Sequence, residues 1–258
     1  DTLKDAKEYG SILQMPDVDY AKVNDRFTQI DSEISIYKQY LLGDFMTLIR
    51  PAEIMSGQYA VVATNPPYMN KYDAKLKTYL NNNYKDVSGD LFSVFMIRNF
   101  DFCINGGYTG FMTPYVWMFI KTYEKLRKNI ISNKTITTLI QMEYSAYEEA
   151  TVPICTFILQ NAKSQKNGVY LRLTNFKGGM IVQQEKTVEA LHNLKCSYIY
   201  EANQQDFCNI PGEPIVYWIT DRFMEAFLLP TVKDVANSCI YCRIYACAGA
   251  GVKALAGK

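Results

Sequence analysis

The pattern of apolar and polar positions divides the chain into a helical lead-in, an alternation of strands and helices, and a region of short strands. Val23, Phe27, Ile30, Ile34, Tyr37, Leu41 and Phe45 recur every three or four residues, which predicts helix on either side of a break near Gly43. Gln58 to Thr64 is an apolar run without polar alternation, expected to be a parallel strand buried on both faces. Asn65-Pro66-Pro67-Tyr68 ends it, because proline has no N–H for a ladder and restricts the residue before it. Residues 69–86 are polar and read as a long loop. A helix follows, with Ser88 as N-cap and Asp90 in its first turn, running to about Ile104 and stopped by Gly106-Gly107. Tyr108 to Pro114 reads as strand, Tyr115 to Ile131 as helix and Thr135 to Met142 as strand. From Gly168 the pattern becomes short strands, including Val169 to Leu173 and Gly178 to Val182.

Strand, helix, strand, helix, strand is half of a doubly wound sheet, so the fold class expected is α/β. In such sheets ligands bind beyond the carboxyl ends of the strands, which is where Asn65 to Tyr68 must lie.

The residues there suit one task. An exocyclic amine on a purine is a poor nucleophile because its lone pair is delocalised into the ring. Two acceptors that take its two hydrogens draw the nitrogen towards tetrahedral geometry and free the pair for attack. Asn65 Oδ1 and the Pro66 carbonyl are candidate acceptors, and the Tyr68 ring is a stacking surface for a base taken out of its duplex. The plain alternative is a proline-rich turn without chemistry.

Asn-Pro-Pro-Tyr after such a strand resembles the catalytic motif of the amino-group DNA methyltransferases that use S-adenosyl-L-methionine. Asp90-Leu91-Phe92 resembles that family's helix start on the cofactor side of the pocket, which implies a cofactor-binding role for Asp90. Tyr144 to Pro153 resembles the loop whose aromatic closes the other face of the flipped base, and Tyr147 is the matching aromatic. The likeness implies a Rossmann-like S-adenosylmethionine-dependent methyltransferase fold. Over residues 1 to about 232 the sequence is most similar to the large adenine-specific DNA methyltransferases of BREX-type phage defence. Leu48 to Met55, Trp117 to Phe119, Tyr123 to Arg127 and Ile210-Pro211-Gly212-Glu213-Pro214-Ile215-Val216-Tyr217-Trp218 all carry it. Ala60 is a departure, standing where that group carries an aspartate. The implied partners are double-stranded DNA and other phage-defence proteins.

The same motif order places a glycine-rich cofactor loop and a ribose-binding acidic residue upstream of residue 1. Neither is found in residues 1–56, and Asp5 to Leu13 opens as though cut from something longer. Leu42 to Met46 resembles the acidic loop that grips the cofactor's adenine in that family but lies within the helical stripe, and Tyr245 to Gly251 resembles a glycine loop but lacks the preceding aspartate and aromatic and a following helix. The expected organisation is a lead-in over 1–56, the catalytic half of a methyltransferase domain over 57–165, the start of a target-recognition region over 166–235, and an atypical tail over 236–258.

Composition adds limits. With 48% hydrophobic and 21% charged residues the chain reads as an ordinary globular protein, and the lack of a basic-plus-apolar N-terminal segment or a long apolar run leads to the expectation of a cytoplasmic, non-membrane protein. A net charge of +1 supplies no general attraction to phosphate, so any nucleic-acid surface must be local. Seven cysteines without framework spacing are expected to be reduced thiols. Cys239, Cys242 and Cys247 have no nearby fourth ligand for zinc. His192, the only histidine, sits in a polar helix-like stretch and reads as a surface residue. Two rival readings stay open: an enzyme acting on a protein glutamine amide or a guanine amine in RNA, which the same tetrapeptide serves, and a non-catalytic DNA-binding module.

Overall fold

The computed structural model describes residues 3, 6–31, 36–144, 146 and 152–229. Tyr147 and the tail from 230 lie outside the described residues, as do Cys239, Cys242 and Cys247.

In chain order the helices are α1 (Ala6–Tyr9), α2 (Tyr20–Asp31), α3 (Ile36–Ser56), α4 (Ala74–Asn83), α5 (Leu91–Phe102), α6 (Glu124–Asn133), α7 (Gly179–His192) and α8 (Asp221–Ala226). The strands are β1 (Tyr59–Thr64), β2 (Cys103–Pro114), β3 (Thr135–Gln141), β4 (Ile154–Gln160), β5 (Gly168–Arg172) and β6 (Ile199–Ala202). They form one sheet in the order β1-β2-β4-β3-β5-β6. β1 and β2 are parallel, as are β3 and β5; β4 lies antiparallel between β2 and β3, and β6 antiparallel to β5. β1, β2, β3 and β5 therefore all point the same way, and Thr64, Pro114, Gln141 and Arg172 end them along one edge. The α/β expectation is met.

The core lies on one face of this sheet. Phe111, Phe157, Leu139 and Tyr170 stand opposite one another across β2, β4, β3 and β5 and are all buried. Side chains of α5 and α6, including Phe92, Met96, Leu126 and Ile130, pack in the same cluster. α7 covers the other face only at β5, where Ala190 packs with Leu171, Leu173 and Tyr198. Further along that face Tyr108 and Ile158 are exposed.

β1 corrects the first expectation. It is an edge strand of the described sheet, its Val61 is 66% exposed, and none of its residues is fully buried. Apolar composition on both faces marks a strand that can be covered on both; only neighbouring elements decide whether it is.

Several elements differ in detail. α3 runs through Gly43 without a break and carries Pro51 inside it. The 69–86 segment contains α4, started by Asp73, whose carboxylate accepts the Leu76 N–H at 2.8 Å. The cap of α5 is Asp90, which accepts from Phe92 N, while the Ser88 hydroxyl points back to the Lys85 carbonyl. α5 stops at Phe102, and Gly106-Gly107 belongs to β2. There Tyr59 pairs with Cys103 but Val61 with Tyr108, so three extra residues bulge from β2. A Cβ on Gly107 would come within 2.6 Å of the Ala60 carbonyl, which explains glycine at that close approach. The expected helix over 115–131 is two 3-10 turns, Tyr115–Met118 and Lys121–Tyr123, before α6. Gly178 to Val182 is not a strand: Gly178 and Gly179, at φ of 128° and 70°, turn the chain into α7. His192 is the exposed last residue of that helix.

The lead-in is tied down by α5. Arg98 donates to the Ser11, Leu13 and Met55 carbonyls, and Tyr84 donates to the Ile12 carbonyl at 2.7 Å. No helix among the described residues is long and apolar enough to cross a membrane.

Candidate active site at the carboxyl edge of the sheet

Asn65 and Tyr68 emerge exposed from the end of β1, with Pro66 buried between them. The loop that carries them is held at both sides. Tyr68 Oη lies 3.0 Å from Asn65 Oδ1 and 3.1 Å from the Met112 carbonyl of β2. A hydroxyl has one hydrogen for these two acceptors. On the other side, Met69 N donates to Asp90 Oδ1 at 3.1 Å, and Leu91 N donates to the Met69 carbonyl at 2.9 Å. Since Asp90 Oδ1 also accepts from Phe92 N, one carboxylate oxygen both caps α5 and fixes the loop. The Tyr68 ring meets Phe92 edge-on, centroids 6.5 Å apart.

Burial raises the Asp90 carboxyl above the ordinary carboxylate range, against the lowering effect of N–H donors from Phe92, Met69 and Leu91. Burial also raises Tyr72 strongly and Tyr123 to about 12, with the Asp90 charge adding to both. The Tyr72 hydroxyl is buried with no hydrogen-bond partner among the described residues. Tyr72 lines a cavity beside the loop with Lys71, Lys77 and Asn81. Lys75 points elsewhere, 2.8 Å from Glu8.

The edge continues beyond β1 as a row of aromatic rings. Tyr115, next after Pro114, packs edge-on to Phe119 at 6.2 Å, and Phe119 to Trp218 at 5.7 Å. The Arg172 guanidinium stacks over Trp218, 4.0 Å from the ring centre. Burial raises Tyr115, the Glu143 charge raises it further, and Arg172 lowers it, so these side chains share one electrostatic neighbourhood. Trp218 is brought here by the 210–218 segment. Arg127 anchors that segment by donating to the Gly212 and Glu213 carbonyls, and also to those of Trp117 and Ile120.

Of the residues expected at the site, Asn65, Pro66, Pro67, Tyr68 and Asp90 come together; Tyr147 lies outside the described residues. Tyr115, Phe119, Arg172 and Trp218 were not expected. The one signal in the sequence is Arg172, a charge that closes an otherwise apolar strand at the end where Gln141 closes β3. Among the described residues no group of three or more histidine, cysteine or acidic side chains is placed to hold a metal ion.

The arrangement presents an exposed amide oxygen and a following carbonyl, with an aromatic ring whose hydroxyl holds that oxygen in place.

The chain is 28% identical over 232 residues to the adenine-specific methyltransferase BrxX of Escherichia coli O9:H4 (strain HS), covering 86% of this chain and 19% of that one. It is 31% identical over 188 residues to the adenine-specific methyltransferase PglX of Lacticaseibacillus casei (strain Zhang), covering 70% of this chain and 16% of the relative. It thus spans less than a fifth of the length of these curated relatives. The DrdV–DNA complex superposes on 67% of this chain and 20% of the DrdV chain, with a TM-score of 0.49 and 14% identity. Residues 5–147 match the Eco57I restriction-modification methylase family, and with more than half of its length inside that match the chain belongs to this family.

Proposed function

We propose that this chain forms the substrate-holding part of an adenine-specific DNA methyltransferase acting on the N6 amine of an adenine extruded from double-stranded DNA. The observation that carries the proposal is Asn65: an exposed amide at the carboxyl end of a strand, its oxygen positioned by Tyr68, followed by the Pro66 carbonyl. Asn65 Oδ1 and the Pro66 carbonyl take the two amine hydrogens, and the Tyr68 ring stacks on the base. Asn65 Oδ1 has two lone pairs, so one accepts from the Tyr68 hydroxyl while the other takes an amine hydrogen.

S-adenosyl-L-methionine, when bound, supplies the electrophilic methyl group. The described residues fit the substrate side of this reaction and one wall of the donor's site. The outer edge of β1 has no neighbouring strand among them, and Asp90, the acidic group at that wall, has one oxygen committed to two backbone N–H groups. Asp90 is therefore proposed to act on the cofactor side mainly by fixing the Asn65 loop. Tyr147 is proposed as the second stacking surface. Residues 57–165 would form the catalytic half and residues 166–235 the opening of the target-reading region, behind the lead-in over 1–56 and ahead of the tail over 236–258. The relatives' names support adenine as the group methylated; a setting in phage defence, protein partners of that system and a cytoplasmic location are part of the same proposal.

The test is methyl transfer to duplex DNA by the protein that carries this chain, with N6-methyladenine read by mass spectrometry. Asn65→Ala is expected to lower the rate by about 100-fold or more, as loss of a key polar contact to the reacting group does. An unchanged yield of N6-methyladenine would sink the assignment.

A further inference from the structure

The near-neutral chain needs a local cationic feature if it is to hold DNA, and Arg172 is placed to be one. Its side chain lies in a row with Thr113, Cys155 and Gln141, directly opposite one another across β2, β4, β3 and β5 at the carboxyl edge. The inner members of the row are satisfied within the protein. Gln141 accepts from the Tyr217 hydroxyl at 2.8 Å, and Thr113 contacts the Cys155 sulfur at 3.8 Å. Arg172 is different. Among the described residues its Nε is buried without a hydrogen-bond partner, and no carboxylate forms an ion pair with the guanidinium. What holds the group is the face of Trp218.

A guanidinium stacked on an indole keeps its planar N–H fork free, and stacking reduces the conformational freedom it must lose on binding. The fork matches the oxygens of a phosphate in paired hydrogen bonds. With strands about 4.8 Å apart, four strand intervals separate Arg172 from β1, roughly 19 Å. At 3.4 Å of rise per nucleotide on one strand that is on the order of five nucleotides from a base held at Asn65.

We propose that Arg172, braced on Trp218, binds a backbone phosphate of the duplex whose base is held at Asn65. The contact carries charge and position rather than sequence, because phosphates are alike along the strand. The proposal rests on the reading of the partner as DNA, but not on catalysis by Asn65.

The experiment is fluorescence anisotropy of this chain with a labelled 30-base-pair duplex, repeated over a range of salt concentrations and on two unrelated sequences. Replacing Arg172 by glutamine, R172Q, is expected to weaken binding several-fold and equally on both sequences. It should also reduce the slope of log affinity against log salt by about 0.9, one phosphate contact. Arg172→Lys should restore the slope while leaving affinity below the native level. Asn65→Ala, in the same assay, should leave the slope unchanged, so a failure of the catalytic reading is separable from a failure of this one. Unfolding is monitored on each variant by near-ultraviolet circular dichroism; Arg172 makes no side-chain hydrogen bond among the described residues, so R172Q should stay folded. A slope unchanged in R172Q overturns the proposal, as does loss confined to one sequence or a native chain that does not bind the duplex at 50 mM salt.

Discussion

Tyr68 Oη sits 3.0 Å from Asn65 Oδ1, so the amide oxygen expected to receive a substrate hydrogen already receives one from within its own motif. Two parts of one tetrapeptide are thereby coupled: the ring that stacks and the amide that accepts.

The coupling separates the roles of the Tyr68 ring and hydroxyl. Tyr68→Phe keeps the ring and frees Asn65 Oδ1; the expected cost in stability is about 1 kcal/mol from the lost hydrogen bonds, with methylation within about tenfold of native. Tyr68→Ala removes the stacking face and is expected to lower base binding by about 1–3 kcal/mol, roughly ten- to a hundred-fold. Steady-state methylation with both variants checks this: equal losses would mean the hydroxyl, not the ring, matters.

Asp90 holds two elements with one oxygen. Asp90→Ala removes the cap of α5 and the anchor of Met69 together and should destabilise the fold by about 1–2 kcal/mol. Asp90→Asn keeps an acceptor and should recover most of that. Urea unfolding of the three proteins gives the comparison, and a difference below about 0.3 kcal/mol between native and Asp90→Ala would contradict it.

Arg127 is 1% exposed and donates to four carbonyls from two stretches of chain, 117–120 and 212–213. Arg127→Met leaves those carbonyls without their charged donor and is expected to cost about 3 kcal/mol or more. Because the 210–218 segment depends on it, Trp218 fluorescence should shift towards the red in the variant even where the sheet remains folded. An unshifted emission would show that Trp218 is placed by other contacts.

Alkaline stability follows from the buried tyrosines. Burial pushes Tyr84 and Tyr123 up to about 12, above the ordinary tyrosine value of 10.0. The folded state therefore favours the neutral phenol. The stability this provides is complete below pH 10 and is lost as pH rises through the window from 10 to about 12. Absorbance at 295 nm should show these groups ionising late and together with loss of near-ultraviolet circular dichroism. Ionisation complete by pH 10.5 in a folded protein would refute the burial argument.

The sequence by itself determined the Asn65–Tyr68 turn, the α/β alternation and the acidic start of α5, because each depends on local chemistry: proline's missing donor, apolar runs of strand length, and a carboxylate at a helix N-terminus. It placed the Gly106-Gly107 pair at a helix end because glycine is permissive in both caps and bulges, and only the partner strand selects the bulge. It read Gly178 to Val182 as strand because a short apolar run has no period long enough to distinguish strand from helix. The tertiary structure alone decided that β1 is an exposed edge, that Asp90 reaches back to Met69, and that Arg172 meets Trp218 across 46 positions of chain. Those relationships join residues distant in sequence through strand order and register, which no local pattern encodes.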